Sequence, residues 1–432
     1  MLAKVLHKFK GSEFSRNTAA IFLSSLMSQL VLVGATPWLT RLYAPEAFGL
    51  YTVFIAIGSV AAYVMTLRYT QGIVVADTDH DAYTMLRACI KLSLGLGLTF
   101  LAIWTVFLAT WLSAFKVQEL GRSFLLLPVY AAVMGLNEAF TVWLNRNKAF
   151  RNIALNRVAT SLITLTVTVL WGYFIDNSAQ GLIAGVLVGF SIGTGLMAFR
   201  SRAFFGFERI PGAPTERELM KRYKSFALYT LPSDFINILT NQLPALLLNQ
   251  FAVNGAAAAG HYGMSNRILG LPSTFVSNAI GEVFRQRAAE DYRTVGTCRP
   301  IFLKTFMVLA AIGIPVFAVV ALAGPWLFPA VLGAEWKEAG QYSRILSLLF
   351  CLKFIVSPLT VTFYIAHKQR TDFYFHIVMA VFAALPFYIG FAVLHNTFAA
   401  LLCYTLVYSA IYILYFYLSL SYATKSKVLQ PV

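Results

Sequence analysis

Four side chains able to carry charge, Glu138, Asp234, Arg267 and Lys353, lie deep inside long apolar stretches of this 432-residue chain. A charge at the centre of a bilayer costs about 2.5–3.5 kcal/mol on insertion scales, so such groups face protein or water and mark pathways. At that depth Glu138, Asp234, Arg267 and Lys353 are candidates to line a wet cavity. The structural alternative is that the acids pair with Arg267 or Lys353 and simply tie helices together. Arg344 shares a stretch with Lys353 but stands about 180° round the helix from it, near enough to an end to snorkel.

Uncharged polar residues add a second pattern. Thr230, Asp234, Asn237 and Asn241 recur at helical spacing and share one face, on a segment that also holds Pro232 and Pro244. Thr18, Ser25, Gln29 and Thr36 do the same before Pro37. Serine and threonine in such helices often bond back to the preceding turn, an explanation that does not reach Gln29 or Asn241. The sequence holds no Walker loop, zinc-ligand spacing or nucleophile elbow, so no catalytic residue, no metal and no cofactor is expected. The acids Asp77, Asp79 and Asp81 read as a solvated loop, and Tyr404, Tyr408, Tyr412 and Tyr415 as a packing stripe.

The elements that position these residues follow from composition. Of the residues 58% are hydrophobic and 12% charged, with mean hydropathy +0.69, which excludes a water-soluble globule of this size. Twelve apolar runs of membrane-spanning length lie near 17–40, 46–68, 88–112, 123–145, 153–175, 179–200, 225–250, 260–284, 301–322, 340–366, 373–394 and 398–420. The short alternating segments of a membrane barrel are absent, so the spans are helices. The net charge of +16 would suggest nucleic acid in a soluble protein, but here it marks topology. Even-numbered connections and the two termini hold 27 basic residues and odd-numbered connections four, Arg41, Lys116, Arg122 and Lys337. Both termini are therefore expected in the cytoplasm, with no nucleic-acid partner. The basic N-terminus, with Lys4, Lys8, Lys10 and Arg16, leads into a run too long for a cleaved signal.

The connection at 201–223, with Arg209, Pro211, Gly212 and Pro214, separates six spans from six. The expected organisation is a bundle at 1–200, a cytoplasmic connection at 201–223 and a bundle at 224–432. Pro37 to Tyr51 and Pro244 to Tyr262 share a pattern of proline, apolar run and Gly-x-Tyr, so the halves read as parallel repeats. The expected fold is all-α integral membrane, twelve transmembrane helices in two parallel six-helix bundles with a central cleft. Cys89, Cys298, Cys351 and Cys403 have no metal-ligand or CxxC spacing, and no disulfide is expected.

The stretch R-L-Y-A-P-E-A-F-G-L-Y-T-V-F-I-A-I at 41–57 resembles the opening motif of the oligosaccharide flippase family, which includes the Wzx-type O-antigen flippases. L-P-S-D-F-I-N-I-L-T-N-Q-L-P-A-L-L-L at 231–248 and A-G-H-Y-G-M-S-N-R-I-L-G-L-P-S-T-F-V-S-N-A-I-G-E-V-F at 259–284 are similar to its span-seven and span-eight pattern. The resemblance implies a V-shaped pair of six-helix bundles in the bacterial inner membrane. It also implies a polyprenyl-pyrophosphate-linked oligosaccharide moved from the cytoplasmic to the outer leaflet by alternating access. A proton or sodium gradient and a polysaccharide polymerase are the further partners it implies, beside the lipid bilayer. Under that reading Arg267 and Lys353 meet the pyrophosphate through charge-assisted hydrogen bonds, Gln29, Asn237 and Asn241 meet sugar hydroxyls, and Asp234 or Glu138 is the ion-coupling carboxylate. An ion-coupled drug or metabolite exporter of the same superfamily would need a more apolar cleft. A membrane polymerase or ligase would need a sizeable outer loop, whereas the longest, about 323–339 with Glu335 and Glu338, reads as a short punctuated connection.

Overall fold

A computed structural model describes residues 27–202, 214–366 and 368–424. Thr18 and Ser25 of the first polar face, the basic N-terminus, and Arg209, Pro211 and Gly212 lie outside the described residues. Among the described residues every regular element is helical, and nine helical stretches are long and apolar enough to cross a membrane. The expected spans seven and eight are also helical but fall outside those nine, because their polar faces dilute the apolar run.

The chain divides into two compact units, Met1–Ile238 and Leu239–Val432. In the first, residues 27–34 are helical and lead into α1 (Thr36–Leu42) and α2 (Pro45–Met65). The opening motif is the joint between them. Tyr43 and Ala44 are extended, Pro45 takes the first helical position, where its missing N–H costs nothing, and Glu46 complements the dipole of the first turn. Tyr43 is buried and donates to the Thr168 carbonyl at 2.7 Å, which pins the joint to a neighbouring span.

After α2 come α3 (Thr70–Val75), α4 (Asp79–Val106), α5 (Leu108–Ala114), α6 (Leu126–Arg146), α7 (Phe150–Phe174) and α8 (Ala179–Ser201). A core around Ile73, Met85, Leu86, Cys89, Trp143 and Leu144 joins α3, α4 and α6. Arg146 closes the end of α6 by donating to the carbonyls of Ile73, Val74 and Ala76 at 2.9–3.1 Å and pairing with Asp79 at 3.0 Å. Along α7 and α8 a Cβ on Gly185, Gly189 or Gly193 would land on the hydroxyl of Thr168, Thr164 or Thr160, so glycine alone permits this approach. The short α9 (Glu216–Arg222) opens with a capping box, in which Thr215 and Glu218 satisfy each other's backbone N–H groups. Those bonds hold the Glu218 carboxyl below its usual range.

A π turn at Phe226–Thr230 runs into α10 (Leu231–Phe251), inside which the division between the units falls. The second unit continues with α11 (Gly255–Pro272), a π turn at Ser273–Ser277, α12 (Asn278–Thr294), α13 (Arg299–Leu332), α14 (Lys337–Val356), α15 (Thr362–Ile365), α16 (Gln369–Tyr388) and α17 (Thr397–Thr424). Its core is strongly aromatic. Tyr404, Tyr408, Tyr412 and Tyr415 are all buried in it, so the stripe packs as expected. The outer connection expected at 323–339 is mostly helix. α13 carries Pro325 and Pro329 through to Leu332 and stops at Gly333, whose φ of 111° suits a residue without a Cβ.

Candidate functional site

The densest charged cluster at membrane depth is built round a residue that sequence reasoning assigns to a loop. α2 ends at Met65, and Leu67 and Arg68 take left-handed backbone angles, φ 47° and 59°, before α3 resumes at Thr70. Such angles cost a non-glycine residue roughly 1–2 kcal/mol, and they persist where the surroundings over-determine them. Here the surroundings are ionic. Arg68 Nη1 donates to Glu138 Oε1 of α6 at 2.7 Å, and Nη2 lies 2.7 Å from Asp234 Oδ2 of α10. Thr70 Oγ1 donates to the same Glu138 oxygen at 3.1 Å, and the guanidinium lies 5.1 Å from the centre of the Tyr63 ring. The Arg68 side chain is 14% exposed and the two acids are 30% and 31% exposed, so the cation is enclosed while its partners open outward.

The two proposed coupling acids are therefore brought together, and by a third residue. Sequence reasoning offers Arg267 and Lys353 as their counter-ions; the guanidinium both acids meet is that of Arg68. Arg68 was missed because it falls at the edge of an apolar run and counts as a loop cation. The apolar run G-I-V-V-A resumes at 72–76, after Tyr69, Thr70 and Gln71, and that flank on the far side is the signal that could have found it.

The two proposed phosphate ligands lie in the second unit, at different levels. Ser265 Oγ donates to the Ala339 carbonyl at 2.7 Å and Ser277 Oγ to the Phe354 carbonyl at 2.8 Å, so α11 and its continuation run alongside α14 in the same direction. That register puts Arg267 about 9 to 12 residues from Lys353 along the helix axes, roughly 14–18 Å at 1.5 Å per residue. Among the described residues Lys353 has no ion-pair partner, and its Nζ lies 5.8 Å from the Phe350 ring. It stands one turn before the helix gives way to a 3-10 turn at Ser357–Val361. Arg344, nine residues earlier, is exposed, in keeping with snorkelling.

Asn237 and Asn241 on α10 are exposed, and Gln29 is half-buried beside Ser28, whose hydroxyl reaches Ser161 of α7. The acidic trio is a solvated loop only in part, for Asp77 and Asp79 are exposed but Asp81 is buried. Thr78 caps α4 by accepting from the Asp81 N–H, Asp79 and Asp81 form the first turn, and Asp77 pairs with Arg222 at 2.9 Å. A further acid absent from the sequence reading, Asp372, is 6% exposed near the start of α16 and accepts from the hydroxyls of Tyr364 and Tyr415. Its position beside a helix start made it look like a loop residue.

Residues 38–341 match the family described as polysaccharide biosynthesis protein, and this chain belongs to that family. No curated protein matches it. Among solved structures, the lipid II flippase MurJ in an inward closed conformation is similar with a TM-score of 0.74 at 12% identity, over 94% of this chain and 87% of that one. A multidrug resistance MATE family transporter of the MOP superfamily, inward-facing, gives 0.65 at 15% identity over 91% and 93%. An outward-facing MATE family transporter gives 0.65 at 15% over 97% and 98%. The fold is thus the all-α, twelve-helix, two-bundle membrane fold of these transporters, as the sequence leads one to expect.

Proposed function

We propose that this protein is a flippase that carries a polyprenyl-pyrophosphate-linked oligosaccharide from the cytoplasmic to the outer leaflet of a bacterial inner membrane, by alternating access, for O-antigen, capsule or exopolysaccharide assembly. The observation that carries the reading is a polysaccharide-biosynthesis family match on a transporter fold. Both termini lie in the cytoplasm, and residues 1–200 and 224–432 form the two bundles either side of the connection 201–223. Lys353 and Arg267 meet the pyrophosphate. Gln29, Asn237 and Asn241 hydrogen-bond sugar hydroxyls. Asp234 and Glu138 couple transport to a proton or sodium gradient, and a polymerase takes the product at the outer face. No bond of the substrate is made or broken, so the protein is not an enzyme.

The likeness to MATE transporters supports one alternative, an ion-coupled small-molecule exporter. A deletion strain decides between them. Lipid-linked sugar repeats trapped on the cytoplasmic leaflet, with no drug phenotype, support the flippase. Repeats reaching the outer leaflet normally, with no second transporter present, overturn it.

A further inference from the structure

We propose that Arg68 is itself a ligand for the diphosphate headgroup, held in reserve between Glu138 and Asp234, so that the anionic substrate and the two carboxylates exchange places on one guanidinium. The proposal rests on the flippase reading and deepens it. Three features of the cluster support it. Two acids share one base, leaving one negative charge in excess when both are ionised, so the arrangement is not a simple balanced pair. The acids are about a third exposed while the guanidinium behind them is not, so an incoming group meets the carboxylates first. The buried Arg68 Nε–H has no acceptor, although a fork onto phosphate uses Nε together with Nη.

Position agrees. Glu138 lies eight residues before the end of α6, and Asp234 eight residues after the start of the π turn at Phe226, each about 12 Å along its helix. In the proposed topology both ends are cytoplasmic, so the cluster lies where a headgroup loading from that side enters. Once phosphate takes the guanidinium, the facing carboxylates lose their counter-charge, so anion loading and release of the two acids are one event. Among the described residues Tyr63 of α2 lies beside the cluster, its ring centre 5.1 Å from the guanidinium.

The test is calorimetric titration of inorganic pyrophosphate into the purified full-length protein in detergent, with every variant at one pH so that the probe's own ionisation cancels. Glu138→Gln with Asp234→Asn frees Arg68 of its charged partners and is expected to bind about tenfold tighter than wild type. Adding Arg68→Gln removes that gain, and this triple variant is a neutral set that leaves no carboxylate stranded. A double variant no tighter than wild type, or a triple variant as tight as the double, overturns the proposal. The two readings fail separately. If Arg68 is only a strut in a true flippase, the leaflet assay stays positive while the double variant shows no gain. If the protein exports something else, the leaflet assay is negative whatever Arg68 binds.

Discussion

Lys353 and Arg68 are both cations at membrane depth, yet the structure gives them opposite characters. Lys353 has no acidic partner among the described residues, so its neutralisation strands no carboxylate. Lys353→Gln is expected to lower sugar-lipid export about tenfold, by removing one charge-assisted contact, while leaving the thermal midpoint within a few degrees of wild type. Arg68→Met does the reverse to stability, because two acids lose their only shared base. A loss of about 1–3 kcal/mol is expected, below the range for fully buried pairs since both acids are partly exposed, and Glu138→Gln with Asp234→Asn should restore most of it. Chemical or thermal melts of the three variants check the stability statements, and the outer-leaflet yield of lipid-linked sugar in a Lys353→Gln strain checks the export. At the edge of the membrane, Asp176 accepts from the Ser178 hydroxyl and N–H and from the Trp171 indole, which hold its carboxyl below the usual range. A depressed pKa contributes stability that is present above the ordinary carboxylate range and lost as pH falls through the lowered value. Protection factors at 175–179, exchange rates corrected for the intrinsic pH dependence of amide exchange, should therefore fall on acidification, and those of Asp176→Ala should be low at every pH.

At the scale of elements, the α7 and α8 contact depends on glycines that admit threonine hydroxyls. Gly189→Val places a branched side chain where Thr164 already stands, and a destabilisation of about 1–3 kcal/mol is expected. Gly195→Ala on the same helix, where nothing lies within 4 Å, should be silent in the same melt. The spans themselves were legible because length and hydropathy decide them, and spans seven and eight were legible as helices even though polar residues weaken their apolar signal. What hydropathy does not encode is which backbone bond shifts. The π turns at Phe226–Thr230, Ser273–Ser277 and Ile389–Val393 lie close to Pro232, Pro272 and Pro386, each of which removes a donor from the ladder. The proline marks the neighbourhood, but the register of the turn is settled by packing. The same holds for the Leu67–Arg68 break, where no proline or glycine announces left-handed angles and the carboxylates that justify them are 70 and 166 residues away in sequence.

At the scale of the whole molecule, charge distribution is the sequence signal that reaches furthest, because basic residues resist transfer across the membrane and so fix which connections stay inside. The site was less legible. Glu138 and Asp234 could be picked out as charges inside apolar runs, but their joint use of Arg68 is a tertiary fact, and the axial offset of roughly 14–18 Å between Arg267 and Lys353 comes from a helix register no single span contains. The topology can be tested independently of substrate. With the four native cysteines replaced, a single cysteine at Ser178, in the exposed turn before α8, should react with an impermeant maleimide added to intact spheroplasts. One at Thr215, before α9, should react only after the membrane is opened. The two positions are separated by one span, α8, so the proposed orientation requires opposite outcomes. Reversed labelling would place Arg68 and its acids near the outer face, and headgroup loading would then have to begin in the second unit. Equal labelling of both positions would mean that α8 does not cross, and the pairing of basic connections with the inner side would lose its basis.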